Sequence, residues 1–225
     1  MISDAVVFGG ISEIMSNTKS VLLLRHGRTR ANIEKRYIGS RTDLSLSAEG
    51  IAEIKEKAEQ IRSLAGFDQT GINDIYIASS PMKRAVETAM VLFPEIDIYR
   101  DLNLAEIDFG DFEGKNYEEL KDEPAYQKWI DSEGTSCFPN GEKREDFIRR
   151  SNAGFTEVLK NSGDCENVGI ICHGGNIMAV MSTLTGREYY DFMTKNLEGY
   201  LLRFNLENER ITDLSYNRIN AGHHS

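Results

Sequence analysis

At 225 residues, with 40% hydrophobic and 28% charged side chains, the chain has the make-up of a globular α/β-sized domain. That balance excludes a disordered chain, a collagen and a small disulfide scaffold, and a core of this size needs no disulfide or metal staple. Its 26 basic residues against 36 acidic ones leave a formal net charge of −10, which argues against a dedicated nucleic-acid binder and makes any local basic pocket stand out.

In chain order, residues 1–18 precede the first convincing strand and read as an N-terminal extension. Asp4 stands where a secretory signal would be basic, and the apolar run over 5–11 is broken by two glycines. Cys137, Cys165 and Cys172 are an odd set with no Cys-x-x-Cys spacing, read as reduced thiols in the cytoplasm. No apolar stretch approaches the roughly 20 residues of a membrane span.

Residues 21–24, Val-Leu-Leu-Leu, suit a strand buried on both faces, and they stop at Arg25-His26-Gly27. Ser47 can cap a helix whose Ile51, Ile54, Ala58, Ile61 and Leu64 form an apolar stripe. A second strand over 75–78 ends in Ser79-Ser80-Pro81, with Ser80 as N-cap and Pro81 at the first position of a helix running to about Leu92. A shorter strand covers 96–99. Phe147, Phe155, Val158 and Leu159 mark another helix, with Arg149 and Arg150 on its polar face. A strand over 168–172 ends in His173-Gly174-Gly175, and a helix over about 176–184 follows. Residues 200–206 and 210–216 flank a polar turn and read as a hairpin. This alternation predicts a three-layer αβα fold, its central sheet mostly parallel with an antiparallel edge strand. One domain over 19–217 is expected, with an irregular lid over about 107–141 and a polar tail over 218–225.

In open α/β sheets, ligands bind beyond the carboxyl ends of the strands. Of four histidines, His223 and His224 lie in the tail, whereas His26 and His173 each end a core strand and precede glycine. Glycine lets backbone approach a ligand closely, and a helix opening at Gly174 aims free N–H groups at an anion. Arg25 and Arg84 supply forked cations that match phosphoryl oxygens. Taken singly, each has an ordinary explanation: a structural histidine, a solvated arginine, or Glu106 as one carboxylate among Asp108, Asp111 and Glu113. A metal held by His26 and His173 ranks below phosphate, because Arg25 would repel a divalent cation and no spacing supplies further ligands.

Leu24-Arg25-His26-Gly27-Arg28-Thr29-Arg30-Ala31-Asn32 resembles the Arg-His-Gly-x-Thr-x-x-Asn signature of the histidine phosphatase superfamily, the phosphoglycerate mutase-like fold. Residues 43–50, 79–85 and 102–110 and His173-Gly174-Gly175 resemble its further segments, in the expected order over about 20–206. Arg28 stands where many relatives carry Glu.

The resemblance implies that His26 is the nucleophile, that Glu106 is the acid and base, and that Arg25, Asn32, Arg84, His173 and Gly174 surround the phosphoryl group, with no cofactor. The implied partner is a small phosphate ester, with no nucleic acid and no membrane; a homodimer is left open. The lid resembles the phosphatase branch, including alpha-ribazole phosphatase-like enzymes, although Asn140 and Lys143 depart from its Pro-Gly-Gly-Glu-Ser stretch. From Asp108 to Asn140 it holds no arginine, whereas mutases carry an arginine pair there. A phosphoglycerate mutase and a non-catalytic phosphate-binding module stay as alternatives. Tyr117, Tyr126, Trp129 and Phe138 either line a leaving-group pocket or pack beneath the lid.

Overall fold

The computed structural model describes residues 18–69, 71, 74–207 and 210–220. The extension (Thr18 apart), His223 and His224 lie outside these residues. The strands are β1 (Thr18–Arg25), β2 (Ile75–Ser79), β3 (Ile98–Arg100), β4 (Asn167–Cys172), β5 (Glu198–Glu207) and β6 (Arg210–Asn220). The helices are α1 (Arg30–Ile33), α2 (Ala48–Ala65), α3 (Lys83–Leu92), α4 (Tyr117–Leu120), α5 (Pro124–Asp131), α6 (Arg144–Asn161) and α7 (Gly174–Thr185). Strand order across the sheet is β3-β2-β4-β1-β5-β6. The β1, β2, β3 and β4 pairings are parallel, and the expected antiparallel edge is a two-stranded β5–β6 hairpin. β6 continues to Asn220, so the first three residues assigned to the tail are strand.

Val21, Leu22, Leu23 and Leu24 have no exposed surface. Alternate residues of β1 face opposite layers, as the two-residue period of a strand requires. Leu22 and Leu24 meet Ile54, Ile61 and Leu92 of α2 and α3, while Val21 and Leu23 meet Val158, Ile177 and Val180 of α6 and α7. Burying each such side chain is worth about 1.5–3 kcal/mol, and the two faces together make the three-layer core. A third cluster, with Phe112, Leu120, Tyr126 and Phe138, holds the lid against Phe147 and Ala179.

Register places the site. Arg25 lies opposite Cys172, and Ser79 opposite Ile171. One residue further along each strand, His26, His173 and Ser80 leave the same end of the sheet side by side.

Candidate active site

His26 and His173 meet edge to face, with ring centroids 5.1 Å apart. Both are buried. Burial and the Arg84 and Arg25 charges hold the His26 pKa well below the usual histidine value, and His173 is held down by burial, Arg84, His26 and Arg25. Both rings are therefore neutral near pH 7. Nδ1 of His26 lies 2.7 Å from the Gly27 carbonyl oxygen, which can only accept. A neutral ring must then carry its proton on Nδ1, leaving the lone pair on Nε2. Nε2 of His173 pairs with the Ser80 hydroxyl at 2.7 Å, while its buried Nδ1 has no partner among the described residues.

Arg84 is 1% exposed, its guanidinium held by the carbonyls of Thr42 (3.2 Å) and Gly39 (3.2 Å). Arg25 donates to the Thr194 carbonyl at 2.6 Å, and its buried Nε has no partner among the described residues. Neither arginine forms an ion pair among the described residues; Glu106 is the leading acid near both. Uncompensated buried cations are costly, so this geometry favours an anionic guest.

Glu106 is 8% exposed. Burial raises its pKa, against the pull of the Ile107 N–H, Arg84 and Arg25. Its Oε1 accepts from Ile107 N–H at 3.0 Å and its Oε2 from Gly175 N–H at 3.5 Å. The neighbouring carboxylates are occupied elsewhere. Asp108 pairs with Arg41 at 2.8 Å, Asp111 accepts from Asn140 at 2.9 Å, and Glu113 accepts from Thr42 at 2.8 Å. The fold singles out the one carboxylate that composition could not.

Arg25, His26, Asn32, Arg84, Glu106 and Gly174 all line one cavity of about 310 Å³; His173 stands behind it, against His26. Asn32 spends its Oδ1 on the Thr29 N–H (3.0 Å), the Thr29 hydroxyl (3.1 Å) and Asn196 (3.3 Å), so only its amide N–H groups remain for a ligand. Arg28 instead pairs with Glu53 at 3.3 Å on the outer surface of α2.

Sequence reading missed several supporting residues. Ser80 does not cap the helix: α3 opens at Lys83, and the Ser80 hydroxyl turns to His173. Arg150 is not on a solvated face. It donates to the carbonyls of Ala105 (2.6 Å) and Glu106 (3.0 Å) and pairs with Glu142 at 2.7 Å, clamping the segment that carries Glu106. Asn176 accepts from His173 N–H at 3.3 Å and donates to the Ala105 carbonyl at 3.3 Å. Asn196 donates to the His26 carbonyl at 2.9 Å, and Leu197 beside it takes a left-handed φ of 59°, backbone strain of a kind that clusters at functional sites. None of these has a motif. Apart from Glu142 and the His173 N–H, their partners are 44 to 170 residues away in sequence, and only the fold brings them together.

Gly175, not Gly174, is the sterically demanding glycine. A Cβ there would sit 2.4 Å from Glu106 Oε1 and 2.9 Å from the Phe147 ring, whereas at Gly174 the nearest atom is 3.4 Å away. Gly175→Ala is expected to destabilise the fold by about 1–3 kcal/mol. Gly174→Ala should be close to neutral by denaturant titration.

Residues 21–217 match the family described as "Histidine phosphatase superfamily (branch 1)". A 6-phosphofructo-2-kinase/fructose-2,6-bisphosphatase 4 of Homo sapiens is 32% identical over 69% of this chain, which spans only 30% of that protein's length. The crystal structure of a phosphoserine phosphatase from Entamoeba histolytica, in complex with 3-phosphoglyceric acid, superposes with a TM-score of 0.70 at 25% identity, covering 90% of this chain and 98% of that one. An alpha-ribazole phosphatase from Shigella flexneri shares the fold at a TM-score of 0.68 and 24% identity, covering 86% and 93%. With the match running through nearly the whole described fold and both histidines, the chain belongs to the histidine phosphatase superfamily.

Proposed function

We propose that the protein is a metal-independent phosphomonoesterase that hydrolyses a small phosphorylated metabolite through a phosphohistidine intermediate on His26. The observation that carries this reading is the pair of guanidiniums, Arg84 buried and Arg25 half-buried, set around a neutral imidazole whose Nε2 lone pair is unspent. A phosphoryl dianion is the guest that such a set of groups compensates.

In the first step His26 Nε2 attacks phosphorus in line. The N–P bond forms, the bond from phosphorus to the ester oxygen breaks, and Glu106, protonated more readily through burial, gives its proton to the departing alcohol. In the second step the Glu106 carboxylate takes a proton from water as that water attacks phosphorus. The P–N bond breaks, inorganic phosphate leaves, and Glu106 is protonated again. The transition state is loose, so positioning and charge carry the catalysis. Arg25 and Arg84 supply the charge, and Asn32 and the N–H groups opening α7 at Gly174 add donors. His173, packed against the His26 ring and tied through Nε2 to the Ser80 hydroxyl, holds the nucleophilic ring in place. A cytoplasmic setting belongs to the same reading and rests on the odd, unspaced cysteines; among the described residues no helix is long and apolar enough to cross a membrane.

The test is a panel of phosphorylated metabolites assayed for released phosphate, with 3-phosphoglycerate isomerisation run in parallel. Activity should survive exhaustive chelation, because the two arginines provide the field that a metal ion supplies elsewhere. Loss to chelator with recovery on adding Zn²⁺ or Mg²⁺ would overturn the metal-independent reading, and isomerisation without net phosphate release would identify a mutase.

A further inference from the structure

The part of the cavity beyond Arg25, His26 and Arg84 has its own chemistry. Its walls are Tyr37, Phe109, Trp129, Phe138, Met178 and Tyr189. Phe138 meets Phe109 edge to face at 5.1 Å and Trp129 at 5.4 Å, and Tyr37 meets Phe109 at 5.4 Å. Of the four aromatics singled out from sequence, Trp129 and Phe138 line the cavity, whereas Tyr126 packs beneath the lid and Tyr117 does not reach it.

The tyrosine hydroxyls of these walls are already spent. The Tyr37 hydroxyl pairs with that of Tyr126 at 2.9 Å, and the Tyr189 hydroxyl donates to the Gly175 carbonyl at 3.3 Å. A polyol placed here would leave hydroxyl groups without partners. At the mouth, Tyr190 and Met193 are 43% and 61% exposed, so the apolar lining continues to the surface. The Tyr190 hydroxyl reaches across to Gly134 of the lid, where a Cβ would come within 2.0 Å of it.

Two cations stand in this outer half. Arg36 is consumed by Glu34 at 2.8 Å and Glu119 at 2.7 Å. Arg144 is different. Its guanidinium lies 5.5 Å from the Tyr189 ring centroid and 6.0 Å from that of Tyr190, and it has no acid partner among the described residues. Nearby Asp146 is taken by Arg149 at 2.5 Å. The two tyrosine faces orient the charge without neutralising it, on a chain whose net charge is −10. Trp129 adds a buried indole N–H with no acceptor among the described residues.

We infer that the preferred substrate is a phosphomonoester whose alcohol is a planar, largely apolar ring bearing an acidic substituent, with the ring held between the aromatic walls and the acid paired to Arg144. This inference rests on the phosphatase reading above. A charge-assisted pair of this kind is worth roughly tenfold or more in binding.

The test uses 2-phenylethyl phosphate, its para-carboxylated counterpart, glycerol 1-phosphate and a hexose 6-phosphate, all alkyl esters. It also uses the two phenylpropyl phosphonates obtained from the ring-bearing esters when CH₂ replaces the ester oxygen. Trp129 is the single tryptophan, so phosphonate binding is read from its emission. The expected kcat/KM is about tenfold higher for the carboxylated ester than for the plain one, and lowest for the two polyol phosphates. In Arg144→Gln the ratio of carboxylated to plain should fall to about one. A polyol phosphate preferred over both phenylethyl esters, or a carboxylate preference that survives Arg144→Gln, overturns this ligand class and leaves the phosphatase reading standing. Phosphonates that bind in the expected order while no ester releases phosphate support the ligand class and overturn the phosphatase reading. Neither binding nor release overturns both.

Discussion

Replacing His26 with alanine is expected to abolish phosphate release from every ester tested, a fall of about 10⁴-fold or more, as for removal of a nucleophile acting within a concerted group. Among the described residues no other ring nitrogen at this end of the sheet offers an unspent lone pair, since His173 Nε2 is tied to Ser80, and Asp108 and Asp111 beside Glu106 are paired. The fold should survive, since His26 lies beyond the last β1 residue and its backbone N–H bonds the Cys172 carbonyl at 2.9 Å. Linkage gives an independent control. The native His26 pKa lies below that of the unfolded chain, so the unfolded state binds more protons below about pH 6.5, and native stability drops as pH falls through that region. His26→Ala removes one of two such buried bases. Its loss of Tm between pH 7 and pH 5 should be smaller than that of the parent protein. A variant with parental turnover would end the nucleophile assignment.

The second large effect is at Glu106. Protonating the leaving oxygen matters most when the alcohol is a poor leaving group, and general acid assistance is typically worth ~10²–10⁴-fold. Glu106→Gln should therefore slow hydrolysis of an alkyl phosphate by that range, while para-nitrophenyl phosphate, whose phenolate departs unaided, loses less than about tenfold. Small and equal effects on both would make Glu106 an ordinary buried carboxylate. Large and equal losses would make it a positioning group for Arg25 and Arg84, whose charges it faces. Asp108, the next carboxylate along the chain, is already bound to Arg41 and to the Gly110 N–H at 2.8 Å.

Arg25, His26, His173 and Gly174, the parts of the site most legible in sequence, share one property: they lie at strand ends. An apolar run that stops at Arg25-His26-Gly27 or His173-Gly174-Gly175 announces both a buried strand and the chemistry at its tip, because a parallel sheet aims all such tips at one place. The six-strand order was not legible, nor was the seating of the β5–β6 hairpin against β1, since a hairpin pattern fixes its own pairing and not which neighbour it joins. Ser80, Arg150, Asn176 and Asn196 were invisible for another reason. Their partners are carbonyls, ring nitrogens and amides supplied by distant elements, and a hydrogen bond to backbone leaves no trace in the partner's identity. The lid illustrates the same limit. Its own sequence lacks arginine from Asp108 to Asn140, yet the cavity it covers is lined by Arg36 from before the lid and Arg144 from after it.

The most direct test is to trap the covalent state. Rapid-quench mixing of the enzyme with a substrate carrying labelled phosphorus should give a phosphoenzyme that is acid-labile and base-stable, the signature of a phosphorus–nitrogen bond. Peptide mapping under alkaline conditions should place the label on His26, and Glu106→Gln should still form it from para-nitrophenyl phosphate. A label on another residue, an acid-stable label, or rapid turnover with no phosphoenzyme at any quench time would contradict the account.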